Sequence, residues 1–185
     1  IQMGYPTNMT FTDIKTLNDK IYKETGIVDY YTSVDDISHY EKFVDKEILQ
    51  GEREFGDYQT PLHLTNQVCE YLVKNYDCNP TIVLEPTFGK GNFIYSSLDY
   101  FSRVKMIYGV EINKSYVWYC KKTLLEKQKS SNRKPNIYLH HDDIFSHVFD
   151  MSLFNSNEEV LIIGNPPWVT NSELGVLDAK NLPQK

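Results

Sequence analysis

"TIVLEPTFGKGNF", residues 81–93, is the stretch on which the fold turns. Its first residues are a short β-favouring apolar run that stops at an acid, Glu85. Two glycines, Gly89 and Gly91, follow within a few residues, and then "NFIYSSLDYF" (92–101) places Phe93 or Ile94, Leu98 and Phe101 on one helical face. This is strand, tight turn, helix. The same alternation continues downstream. "MIYGVE" (106–111) reads as a second strand, Val117, Cys120 and Leu124 mark the next helix, and "SSNRKP" (130–135) is a loop. "NIYL" (136–139) and "EVLII" (159–163) supply a third and a fourth strand. Strands separated by helices of this length predict an α/β fold built of βαβ units, with a parallel sheet covered on both faces.

Upstream, Ile14, Leu17 and Ile21, then Ile37, Tyr40, Phe43, Val44 and Ile48, recur at helical spacing, so the first 50 residues form an N-terminal helical segment. Thr60 and Pro61 read as N-cap and first helical position of a further helix, with Leu64, Val68 and Leu72 as its apolar stripe.

The 185 residues are 41% hydrophobic and 24% charged, which suits an ordinary globular domain. A formal net charge of -6 gives no bulk attraction to nucleic acid or to an anionic membrane. No apolar run approaches the ~18 residues of a membrane span, and no secretory signal pattern opens the chain. The three cysteines form no CxxC pair, and Cys69 and Cys120 fall at apolar helical positions, as reduced core thiols in a cytoplasmic protein would. The chain opens on Ile1 and closes on the polar stretch "DAKNLPQK" (178–185), which suggests a piece of something longer.

In a parallel sheet, ligands bind beyond the carboxyl ends of the strands. All four predicted strands end in polar residues there: Glu85, Glu111, Asp142 with Asp143, and Asn165. The glycine turn fits neither a dinucleotide fingerprint, since position 94 is Ile, nor a phosphate loop, since no Lys-Ser/Thr pair follows. Glu111 is either a strand-edge surface acid or an acceptor for ribose hydroxyls. One aspartate of the third end either accepts from an adenine amino group or caps a turn. His140 and His141 are adjacent on a strand and so point to opposite faces, a poor chelate; no metal is expected.

The fourth end reads "GNPPW" (164–168). Pro166 and Pro167 lack backbone N–H groups, so the turn presents carbonyls without competing donors. The Asn165 side chain and the Pro166 carbonyl offer two acceptors to a planar amino group, and Trp168 offers a face for a flat heterocycle.

Taken together, "EFGDYQTP" (54–61), "LEPTFGKGNF" (84–93), "GVEIN" (109–113), "HHDDIF" (140–145) and "GNPPW" resemble the successive motifs of S-adenosylmethionine-dependent DNA adenine-N6 methyltransferases of restriction–modification systems. The match is to the class in which the cofactor motifs precede the catalytic one, and it covers residues 51 to about 170. It implies a Rossmann-like parallel sheet truncated after about four strands, with an N-terminal helical extension over 1–50 and the N-terminal portion of the methyltransferase domain over 51–185. The resemblance places Thr60 and Pro61 at the methionine end of the cofactor, and Glu85, Thr87, Phe88, Gly89, Gly91 and Asn92 in the loop around it. Glu111 would take the ribose, Ile112 would flank the adenine ring, and Asp143, with Ile144 and Phe145, would meet its amino group. Asn165, Pro166, Pro167 and Trp168 would receive the target base. The donor would be S-adenosylmethionine, leaving as S-adenosylhomocysteine. Double-stranded DNA would bind mainly through a target-recognition domain beyond this chain, and a restriction endonuclease is a possible partner. The basic run Lys121, Lys122, Lys127, Lys129, Arg133 and Lys134 is expected to be a solvated face. Two alternatives share the motif: methylation of a protein glutamine or of RNA, and a non-catalytic cofactor-binding part of a nuclease–methyltransferase.

Overall fold

Continuous apolar runs make poor surface strands, and the two runs nearest residue 81 occupy the middle of the sheet. In the computed structural model, which describes residues 11–37, 59–154 and 157–166, β1 (Ile82–Glu85) and β2 (Met106–Glu111) are buried along their whole length. β3 (Asn136–His141) and β4 (Val160–Ile162) flank them, and the four form one parallel sheet in the order β3-β2-β1-β4. The register sets Leu84 beside Tyr108 and Ile162, and Glu111 beside His141. All the carboxyl ends therefore lie along one edge. The chain steps outward from β1 to β3, then returns to place β4 on the other side of β1. The point where the order reverses lies between β1 and β4, where a crevice for a ligand opens in such sheets.

The helices that accompany the strands include α1 (Phe11–Thr25), α2 (Leu62–Tyr76), α3 (Asn92–Tyr100) and α4 (Lys114–Lys129). Val83, Ile107, Ile137 and Leu139 on one sheet face share a core with Ile94 and Leu98 of α3 and with Val117, Cys120 and Leu124 of α4. α1 packs on α4 and α2 on α3, the latter through a buried pair of hydroxyls, Thr65 and Ser96, 2.7 Å apart. The N-terminal segment shares this core. Ile27 bridges to Ile137 on the outer edge of β3, and Tyr30 and Tyr31 pack on Trp118 with ring centroids 5.8 Å and 5.9 Å away. The expected helix around residues 40–48 and the boundary near residue 50 lie outside the described residues.

The opposite face differs from expectation. Among the described residues it is covered by no helix but by the connection between β3 and β4. Ile144, Phe149, Leu153 and Phe154 pack there on Leu84, Tyr108 and Val110, with a short 3-10 turn at Met151–Leu153. β3 also runs two residues further than "NIYL", because His140 is held in the strand over the Tyr108 ring at 4.6 Å between centroids.

The basic run is not simply a solvated face, and two of its members are structural. Lys121 is only 3% exposed. Its ammonium donates to the carbonyls of Asp29 and Tyr30 and lies over the Trp118 ring, and burial lowers its pKa to about 8. The Arg133 guanidinium donates to the carbonyls of Leu98, Phe101 and Ser102 at the C-terminal end of α3, where a helix leaves acceptors unpaired. Lys127 pairs with Asp99 at 2.7 Å. The cysteines are free thiols, and burial pushes Cys69 up to about 11, as expected of inert core positions. No helix among the described residues is long and apolar enough to cross a membrane.

Candidate active site

The turn after β1 can form because glycine stands at its two left-handed positions. Gly89 has φ +53° and Gly91 φ +86°, conformations that L side chains rarely adopt. A Cβ on Gly91 would lie 2.4 Å from Cys120 Sγ, and one on Gly89 2.4 Å from Gln59 Oε1. Phe88 points its ring into the core against Gly109, so it anchors the turn from beneath. Its backbone nitrogen donates to Val110 O at 3.1 Å.

Glu111, 8% exposed, organises the turn from the neighbouring strand. Its Oε2 accepts from Gly89 N at 2.7 Å and its Oε1 from Asn113 N at 2.7 Å. Each carboxylate oxygen can accept more than one hydrogen bond. Glu85, 3% exposed, sits at the end of the adjacent strand. Burial raises its pKa well above the ordinary carboxylate value, the Ile94 backbone hydrogen bond opposes this, and the Glu111 charge adds to it. Among the described residues, Glu85 Oε2 and Thr87 Oγ1 are buried without a hydrogen-bond partner. Unpaired polar atoms are expensive in an interior, and a bound ligand is one way to complete the set.

Gln59 and Thr60 close the other side of this loop. Gln59 Oε1 accepts from Lys90 N at 2.8 Å, and Asn92 Nδ2 donates to the Thr60 carbonyl at 2.8 Å. Thr60 is not the helix cap that the sequence suggested. α2 begins at Leu62, and Pro61, extended at φ -61° and ψ 145°, occupies the N-cap without a side-chain hydrogen bond. The Thr60 hydroxyl instead accepts from Asn165 Nδ2 at 3.2 Å. Gly164 lies against Glu85 and Pro86, so the end of β4 and the end of β1 meet.

At the β3 end the two aspartates have separate partners. Asp143 Oδ1 accepts from Phe145 N at 3.0 Å and so shapes the turn. Asp142 pairs with His147 Nδ1 at 2.8 Å, and His147 Nε2 lies 2.7 Å from Tyr108 Oη. The His147 bond, then the Asp143 amide, holds the Asp142 carboxyl below its usual range. His140 and His141 diverge: His140 stacks over Tyr108, while His141 Nε2 pairs with Ile112 O at 3.0 Å. Among the described residues no three His, Cys, Asp or Glu side chains are grouped to hold a metal. Ile112 and Phe145 stand out at 66% and 96% exposure on the same rim, whereas Ile144 packs on the sheet.

No protein-family model matches the chain. Over 132 residues it is 45% identical to the type II methyltransferase M.NspV of Nostoc sp., an alignment covering 71% of this chain and 26% of that protein. Over that stretch the chain is related to a type II methyltransferase. It spans about a quarter of the length of that relative. Two solved structures are among those similar to the chain. One is the methyltransferase subunit of a type I restriction–modification system from Streptococcus thermophilus: 18% identity, TM-score 0.43, covering 69% of this chain and 26% of that one. The other is a class I S-adenosylmethionine-dependent methyltransferase from Listeria monocytogenes: 15% identity, TM-score 0.43, covering 74% and 45%.

In this chain the sheet brings together Thr60, Glu85, Thr87, Gly89, Gly91, Asn92, Glu111 and Asn165 at one edge, with Ile112, Asp143 and Phe145 on its rim. Pro61 opens α2 and Pro166 ends the described part of the β4 turn, while Pro167 and Trp168 lie outside the described residues. Sequence reasoning missed Gln59, although it stands directly before Thr60 in "DYQTP". It also missed the chain Asp142–His147–Tyr108, which no spacing announces because it depends on how β2 and β3 align.

Proposed function

We propose that this site binds S-adenosylmethionine and directs its methyl group to the N6 amino group of adenine in DNA, within a restriction–modification system. The observation that carries the reading is the buried Glu85 carboxylate with an unpartnered oxygen, at the reversal point of the sheet and beside the turn that holds Asn165. A buried carboxylate of raised pKa calls for a cation with hydrogen-bond donors, which the ammonium end of such a cofactor has. When bound, S-adenosylmethionine supplies an electrophilic methyl on a sulfonium.

The residues divide the remaining work. Glu85 and Thr87 would take the amino-acid end of the cofactor, and the Glu111 carboxylate would accept from its ribose hydroxyls. Ile112 and Phe145 would flank the adenine ring, and Asp143 would accept from its amino group. Asn165 and the Pro166 carbonyl would accept both hydrogens of the target amine and turn its lone pair toward the methyl group. Trp168 would stack on a base flipped from the duplex. The adenine and DNA parts of the reading rest on the GNPPW motif.

The test uses the protein encoded in full, incubated with labelled cofactor and duplex DNA, followed by digestion and mass spectrometry of the nucleosides. N6-methyladenine is the expected product. Asn165→Ala should lose transfer by about a hundredfold, as loss of a pre-organised polar contact does, with cofactor affinity nearly unchanged. N4-methylcytosine as the product would overturn the adenine assignment, and label in protein or RNA alone would overturn the DNA assignment.

A further inference from the structure

Building on that reading, we infer that Thr60 is a positioning residue that sets the Asn165 carboxamide and couples it to the loop after β1. The first observation is what the Thr60 hydroxyl does not do. A threonine just before a helix usually caps it, yet α2 places Pro61 at its N-cap and makes no side-chain cap bond. The helix start is served by the Pro61 carbonyl, which accepts from Leu64 N and Thr65 N. The hydroxyl is thereby released for another partner, and that partner is Asn165 Nδ2 at 3.2 Å, 105 residues away in sequence.

The second observation is how firmly Thr60 is held. Its carbonyl accepts from Asn92 Nδ2, and its neighbour Gln59 accepts from Lys90 N, so residues 59 and 60 are fastened at two points to the glycine turn. Gly89 has no Cβ to push Gln59 away. A carboxamide has a donor end and an acceptor end, related by a rotation of half a turn about its last bond. Engaging the donor end on Thr60 directs the oxygen end away from Thr60. Only that orientation lets Asn165 accept from an amino group. A rigid neighbour spares the site the cost of ordering this side chain during reaction. The same tether links two loops: a ligand that orders the turn at Lys90 and Asn92 also steadies Asn165 through Thr60.

The experiment compares the wild type with Thr60→Val, which keeps the shape but removes the acceptor, and Thr60→Ser, which restores a hydroxyl, all in the protein encoded in full. Selective 15N labelling of asparagine reports the Asn165 side-chain amide, and single-turnover transfer and cofactor titration are run on the same samples. The expected pattern is a shifted, faster-exchanging Asn165 amide and about tenfold slower transfer in Thr60→Val. Cofactor affinity should stay within about twofold, and Thr60→Ser should recover both readouts. An unmoved amide overturns the contact. A moved amide with normal transfer overturns its importance. Affinity falling in step with transfer overturns the positioning role and returns Thr60 to the methionine end of the cofactor, where the resemblance places it. A wild type that transfers no methyl group overturns the functional reading and, with it, any part for Thr60 in turnover.

Discussion

The backbone nitrogen of Gly89 donates to Glu111 Oε2 at 2.7 Å, so one carboxylate at the end of β2 fixes the turn that follows β1. Two strand ends thereby act as one unit, and a change at Glu111 is felt in both.

Replacing Glu111 with Ala strands two backbone donors, Gly89 N and Asn113 N. Hydrogen bonds to charged groups contribute about 1.5–3 kcal/mol each, so the variant should lose at least that much stability in denaturant titrations. Cofactor binding measured by calorimetry should weaken by a comparable amount. Undiminished stability would mean that the turn has other supports, and undiminished affinity would remove Glu111 from the ribose site.

Glu85 should show the opposite balance. Its raised pKa means that the folded state holds the proton more tightly than the unfolded state, where the value is near 4.5. Stability should therefore fall as pH climbs from about 4.5 through the folded pKa. Glu85→Gln removes the buried charge and should stabilise the ligand-free protein at neutral pH by about 1–3 kcal/mol, the usual scale for an unsatisfied buried polar group. The gap from wild type should widen with rising pH and close near pH 4. The same variant should bind cofactor far more weakly. A variant less stable than wild type at pH 8 would contradict the reading of Glu85 as a buried acid with one unpartnered oxygen among the described residues.

Gly91→Ala places a methyl group on a residue at φ +86° and against Cys120 Sγ. The left-handed backbone and the overlap together should cost about 2–4 kcal/mol. Adding Cys120→Ala makes room for the methyl group and should recover the packing part alone. A double-mutant cycle in denaturant separates the two, and complete recovery would show that the backbone carries no strain.

Arg133→Lys tests a geometry, since the charge is kept but the planar fork that reaches three carbonyls is lost. The expected loss is about 1 kcal/mol by thermal or chemical denaturation, with fraying visible in hydrogen exchange at the end of α3. Equal stability would return Arg133 to the solvated face that its sequence neighbourhood suggests.

Strand identities were readable because apolar runs at the centre of a parallel sheet have few alternatives: Ile82–Glu85 and Met106–Glu111 are buried throughout. Glu85 and Glu111 stood out for the same reason, as acids placed where an apolar run stops. What stayed hidden depends on distance in sequence. Thr60 and Asn165 meet only after the whole sheet has formed, and Arg133 finds α3 only because the loop before β3 passes its C-terminal end. Composition made the run from Lys121 to Lys134 look like one surface, but a helix turns successive lysines to different sides, so Lys121 is buried while its neighbour Lys122 is half-buried.

The sheet order has a consequence in time. β1, β2 and β3 are joined by single short crossovers, whereas β4 pairs with β1 across most of the described chain: Glu159 N donates to Thr81 Oγ1 at 3.0 Å, 78 residues away. Closing a long loop costs entropy before its contacts repay it, and non-local pairings form slowly. β4 is also short, with Val160 and Ile162 exposed among the described residues, so it holds its place weakly. The fourth strand is therefore expected to dock last as the chain folds, and to detach first as it unfolds. In pulse-labelled refolding the Ile163 amide, which donates to Leu84 O at 3.0 Å, should gain protection after the amides of β2. Asn165 rides on that strand, so the nascent protein acquires the turn that Glu111 fixes, at the ends of β1 and β2, before it acquires the group proposed to accept from the target amine.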